Sequence, residues 1–169
     1  MSKHVAMDLF VIVLRILHIG GGLFWAGAGL SAGWFVQPAA RAAGAPGQAF
    51  MEKLMGESKL GPAMGVSAIA TLASGIALYW IDFGAVLPFN AAMLGFAIGG
   101  VAAIAVWLIS IFVSLPAGRR MEQLGAAAQA GEEVGAEMAR LGGRLSREGS
   151  ASMWLLIVAV LAMAVARYL

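Results

Sequence analysis

Apolar residues along this chain gather into four long runs, without the alternation of a half-buried strand and with few polar breaks. The first run begins at Leu9, carries Arg15 inside it, and continues uncharged from Ile16 to Ala40. The others centre on residues 60–81, 89–115 and 149–167, with Pro88 and Pro116 bracketing the third. A hydrocarbon core about 30 Å thick requires roughly 20 apolar helical residues. Each run meets that length, so the pattern predicts spans at about 9–37, 60–81, 89–115 and 149–167. Connections then fall at 38–59 and 116–148. Backbone polar groups in lipid must be bonded within their own segment, which makes the spans helices. The expected fold is all-α, a polytopic membrane four-helix bundle forming a single membrane domain over 1–169, with amphipathic cytoplasmic connecting helices.

Composition sharpens that picture by exclusion. Only 12% of the 169 residues are charged and 61% are apolar, too few charges to cover a water-exposed surface. A soluble enzyme and a nucleic-acid binder are thereby disfavoured. The absence of cysteine removes disulfides, thiolate metal sites and cysteine nucleophiles. The first apolar run is longer than a signal-peptide core and is interrupted by Arg15, so it reads as a retained helix. Basic residues set the orientation. Arg41, Lys53 and Lys59 lie in the first long connection, and Arg119, Arg120, Arg140, Arg144 and Arg147 in the second; together these are eight of the eleven. Both connections are therefore expected in the cytoplasm and both termini in the periplasm, placing the chain in a bacterial inner membrane. Trp34, Tyr79, Trp80 and Trp154 stand where interfacial aromatics are expected.

Within the second connection, Met121, Leu124, Ala128, Val134, Met138, Leu141 and Leu145 recur at three- and four-residue spacing. This predicts either a helical continuation of the third span or a helix lying on the membrane face. Gln48–Lys59 reads as a shorter version. Gly29/Gly33, Gly61/Gly65 and Gly95/Gly99 form Gly-x-x-x-Gly pairs, and Ser67, Thr71 and Ser74 a small polar stripe; both favour close helix packing, in the bundle or between copies. No sequence repeat is visible, although each half reads as two spans joined through a cytoplasmic helix.

The first span holds the candidate chemistry. His4, Asp8, Val11, Arg15, His18, Gly22, Trp25, Gly29, Ala32 and Val36 form one slowly turning stripe at helical spacing. Ionisable residues inside a span are costly and by default mark a functional site, so the stripe is expected to face the bundle interior. A neutral His18 imidazole could ligate haem iron or copper, with Gly20, Gly21 and Gly22 allowing a flat macrocycle or another helix to approach. The alternative is a buried histidine hydrogen-bonded to a serine, threonine or carbonyl of a neighbouring span. A second axial ligand would have to come from Met64, Met93, Met153 or Met163, or from His18 of a second copy. Arg15 could hold a propionate or another anion, or could snorkel outward or pair with Asp8. The candidate cofactor-binding residues are thus His18, Arg15, Gly22 and Trp25, with His18 as the metal ligand and no catalytic residue.

Leu17-His18, then Trp25 and Gly27, then Pro38 and Arg41, together with four spans and a basic connection after the third, resemble a bacterial integral-membrane superfamily. That superfamily includes the copper-resistance D (CopD) proteins, the HemJ-type protoporphyrinogen oxidases and a four-span set known as the DUF2269 proteins. The resemblance implies haem b or copper held through the first-span histidine, which falls on His18. HemJ-type proteins also use a lysine in a later span, and none lies in the last three spans here, which leaves the DUF2269 set as the nearest pattern. The expected function is a small haem b- or metal-associated redox or accessory protein. The alternatives are a HemJ-like oxidase or a purely structural subunit of a larger membrane complex. Its expected partners are the lipid bilayer and further subunits, as a homo-oligomer or larger complex joined through glycine-rich faces.

Overall fold

The computed structural model describes residues 3–85 and 90–169, with side chains from residue 7 onward in the first helix. Pro88 and Phe89, expected to open the third span, and the side chain of His4 lie outside the described residues. Among those described there are helices and turns but no strand, and four helices long and apolar enough to cross a membrane.

Helix α1 runs Lys3–Ser31, passes through a π-helical segment Ala32–Val36 and continues as α2, Gln37–Ala42. A tight corner at Gly44, with φ of 65°, leads into α3, Ala45–Glu52. Gly47 lies so close to the Ala40 carbonyl that a Cβ there would collide with backbone. A second π-helical segment, Lys53–Glu57, precedes α4, Leu60–Phe83, which ends at Gly84 with φ of 70°. Asn90 then caps α5, Ala91–Ile109, accepting a hydrogen bond from the Met93 backbone N–H at 2.8 Å. A third π-helical segment, Ser110–Ser114, joins α5 to α6, Leu115–Gln129. The chain reverses at Gly131, with φ of 89°, into α7, Gly135–Ala166.

The second connection is therefore a continuation of the third span, and its far half belongs to the helix of the fourth. At 32 residues α7 spans about 48 Å, longer than a hydrocarbon core. Beyond the apolar zone α6 and α7 pack antiparallel, joined by a 2.9 Å ion pair between Arg120 and Glu137. On α6 Leu124 is buried and Met121 half-buried, while Arg119, Arg120, Glu122 and Gln123 are exposed.

Packing is pairwise. Helix α1 lies along α4 and α5 along α7, and each pair meets the other over a much smaller area. Small residues set these contacts because lipid offers no hydrophobic drive and the backbones must approach closely. Gly29 meets Leu156, Gly33 meets Met153, Gly95 meets Ala166 and Gly99 meets Met163; Gly65 meets nothing within 4 Å. Two of the three Gly-x-x-x-Gly pairs thus serve inside the bundle. Where the pairs meet, Trp25 and Ala26, Ala68, Ala102, Ala103 and Val106, and Leu156 and Ala159 form one buried cluster.

The two pairs share a register that no residue-by-residue comparison revealed. A Cβ on Gly21 would lie 3.1 Å from the Ser67 carbonyl oxygen and 2.6 Å from Thr71 Oγ1. On Gly99 it would lie 3.0 Å from the Ala159 carbonyl oxygen and 2.6 Å from Met163 Cγ. Each contact is a glycine against one carbonyl and the side chain four residues later. Pro38 and Pro116 follow Gly21 and Gly99 at the same offset, each two residues beyond a π-helical segment and three before an arginine, Arg41 or Arg119. Proline lacks an N–H and its ring crowds the carbonyl four residues back; local widening of the helix relieves both.

Candidate functional site

Ser67, Thr71 and Ser74 put three hydroxyls on the face of α4 that meets α1, and each is satisfied within its own helix. Ser67 donates to the Ala63 carbonyl at 2.8 Å, Thr71 to Ser67 at 2.7 Å and Ser74 to Ala70 at 2.5 Å. These bonds leave the hydroxyls little to offer α1, as expected for serine and threonine bonding back along a helix. The group that crosses the interface is a backbone oxygen. His18 Nδ1 lies 2.8 Å from the Thr71 carbonyl oxygen. A carbonyl only accepts, so Nδ1 donates in this bond. Nε2 has no hydrogen-bond partner among the described residues, and in a neutral ring so bonded it is the nitrogen with the lone pair.

Glycine makes room for this ring. A Cβ on Gly75 would stand 2.7 Å from His18 Cε1 and 2.9 Å from Nδ1, inside van der Waals contact. The imidazole is thereby fixed at two points, by Thr71 backbone and by the bare face of Gly75. Sequence reasoning picked out His18 and, as one alternative, a carbonyl of a neighbouring span as its partner, but neither Thr71 nor Gly75 in these roles. A carbonyl has no sequence signature, and Gly75 is one glycine among 23.

The remaining stripe residues separate. Trp25 is buried in the inter-pair cluster, and Gly22 lies against Thr71 Cγ2, where a Cβ would be at 3.4 Å. Gly21 is likewise covered by Thr71, so of the three glycines beside His18 only Gly20 is open. A flat group has no approach to Gly21 or Gly22, because α4 occupies that side. Asp8 and Arg15 depart further from the expected interior stripe: both are exposed. Arg15 borders a shallow groove with Ile12, Ile16, Ile19 and Gly20, on the outside of the bundle. A strict stripe drifts around a straight helix, and α4 covers only the sector around His18, Gly21 and Gly22.

No methionine is brought to His18 by these contacts. Met153 is seated on Gly33, Met163 on Gly99, Met64 against the inter-pair cluster, and Met93 is fully buried in α5. Among the described residues no three of His, Cys, Asp and Glu come together as a metal cage. At the connection end Ser114 donates to Glu148 Oε1, while Glu148 Oε2 is buried without a partner, and Arg41 reaches Ser146 at 3.3 Å. These bonds tie the third π-helical segment and α2 to α7, well away from His18.

No family model, curated protein or solved structure matches this chain.

Proposed function

We propose that this multi-pass protein is a non-catalytic haem b-associated accessory subunit of a bacterial inner membrane, with His18 Nε2 as the protein's ligand to iron. The observation that carries this reading is the Nδ1–H bond to the Thr71 carbonyl. Histidines that bind metals characteristically donate their other ring nitrogen to a carbonyl or carboxylate, which fixes the ring and makes the ligating nitrogen more basic. The donor set favours haem over a bare copper ion. Copper would require several protein ligands, whereas a porphyrin brings four nitrogens and asks the chain for one or two. Bound haem supplies one-electron chemistry. The chain's own residues orient one imidazole through Thr71 and Gly75 and keep α1 packed through Gly22 and Trp25. With eight of eleven basic residues in the two long connections, those connections face the cytoplasm and the termini the periplasm.

Absorption spectra of detergent-purified protein, made with haem precursor supplied and measured oxidised and dithionite-reduced alongside metal analysis, test this. A Soret band that shifts on reduction and is lost in His18→Ala supports it. Copper without haem transfers the ligand role to copper, and porphyrinogen oxidation by the purified protein favours a HemJ-like enzyme. A colourless, metal-free sample overturns the proposal in favour of a structural subunit.

A further inference from the structure

Arg15 is the one cation embedded in the apolar run of α1, and it stands on the outside of the bundle. The apolar stem of its side chain borders an open groove of about 370 Å³ whose other walls are Ile12, Ile16, Ile19 and Gly20. Gly20 meets nothing within 4 Å, so the groove floor is bare at that point. Asp8 lies two turns nearer the N-terminus on the same face, about 10 Å away along the axis, and is also exposed. The two do not pair: among the described residues the ion pair is Arg120 with Glu137. One face of one helix thus carries, from its N-terminal end, a carboxylate, then Ile12, then the Arg15 side chain with Ile16, Ile19 and Gly20 beyond it.

We infer that this face binds one phospholipid with a primary-amine headgroup, of the phosphatidylethanolamine class. In such a lipid the ammonium lies outermost, the phosphate beneath it and the acyl chains below, which is the order of charge complementarity on α1. Arg15 holds the phosphate through charge-assisted hydrogen bonds, Asp8 accepts from the ammonium, and an acyl chain lies along Ile16 and Ile19. A guanidinium at this depth gains a partner without leaving the headgroup boundary, because its stem can extend outward. The order follows the helix from its N-terminal end, so the inference holds in either leaflet and does not depend on the reading of His18.

Native mass spectrometry of the full chain, released from detergent with equal amounts of phosphatidylethanolamine, phosphatidylcholine and phosphatidylglycerol, tests it. The expected result is one retained phosphatidylethanolamine, at least threefold over either competitor. Phosphatidylcholine keeps the phosphate but cannot donate from its quaternary amine, and phosphatidylglycerol offers Asp8 only neutral hydroxyls in place of a charged donor. Arg15→Gln should remove the adduct, Arg15→Lys should keep part of it, and Asp8→Asn should abolish the preference while leaving phosphate-dependent retention. Equal retention of the three lipids by the unaltered protein overturns the inference, as does full retention in Arg15→Gln. Competition by millimolar inorganic phosphate would reassign Arg15 to a free anion. A dimer that excludes lipid, and that Arg15→Gln dissociates, would reassign the groove to a second copy.

Discussion

The α1/α4 pair and the α5/α7 pair share a scaffold and differ in what they place on it. Gly21 against Ser67 and Thr71 has its counterpart in Gly99 against Ala159 and Met163. Three residues before the packing glycine stands His18 in one pair and Phe96 in the other; three residues after Thr71 or Met163 stands Ser74 or Ala166. The second pair is apolar throughout this interface. Phe96 meets the Phe83 ring of α4, 6.0 Å between centroids. The first pair carries an imidazole, three hydroxyls and a glycine shaved back to admit the ring. Packing alone is satisfied by the second arrangement. Polar groups inside a membrane are costly to keep, which supports the proposed ligand role of His18.

The connections differ too, and the largest expected effect lies there. Gly47→Ala drives a Cβ into the Ala40 carbonyl, and neither backbone can yield without opening the α2–α3 corner. Loss of folded protein, or several kcal/mol on thermal unfolding in detergent, is expected. Gly131→Ala in the other connection has open space but a φ of 89°, so only backbone strain of about 1–2 kcal/mol opposes it. Equal losses would mean that the two corners are held alike.

Within the pairs, Gly21→Ala should cost more than Gly99→Ala. Thr71 is stiff at χ1 and bonded to its own helix, whereas Met163 has three rotatable bonds with which to move aside. A difference of about 1 kcal/mol in unfolding free energy is expected within an overpacking range of about 1–3 kcal/mol. The reverse order would show that the backbone contact, nearly the same in both, decides the cost.

Gly75→Ala should push the imidazole off the Thr71 carbonyl and lower haem occupancy several-fold, while stability falls by about 1 kcal/mol, the scale of an interhelical hydrogen bond in a membrane. Quantitative pyridine haemochrome absorbance beside unfolding midpoints checks both. Thr71→Val should do far less, since the acceptor for His18 is main chain; a loss of occupancy as large as that of Gly75→Ala would show that the hydroxyl matters.

Much of the scaffold was legible in the sequence. Four apolar runs found four helices because length and hydropathy are local properties. The exit from the first pair carries Pro38 and Arg41 and that from the second Pro116 and Arg119, too few shared side chains to mark a repeat in the sequence. What the two pairs share is glycine against a carbonyl, which leaves no pattern in side-chain identities. The interior stripe on α1 was half legible. His18 and Trp25 turned inward as expected, and Arg15 turned outward because three- and four-residue spacing defines a broad face while α4 covers a narrow one. The partners of His18 were legible only by kind, as a hydroxyl or carbonyl of a neighbouring span; that the carbonyl is Thr71's and that Gly75 admits the ring has no mark in the sequence.

The most direct test is the nitrogen NMR spectrum of ¹⁵N-histidine-labelled protein in lipid, with His18→Ala to separate its signals from those of His4. The expected result for ligand-free protein is a His18 ring protonated at Nδ1 and bare at Nε2, with the Nε2 signal changing when haem is added. A ring protonated at Nε2 and bare at Nδ1 would contradict the bond to Thr71 and remove the lone pair on which the ligand role of His18 rests.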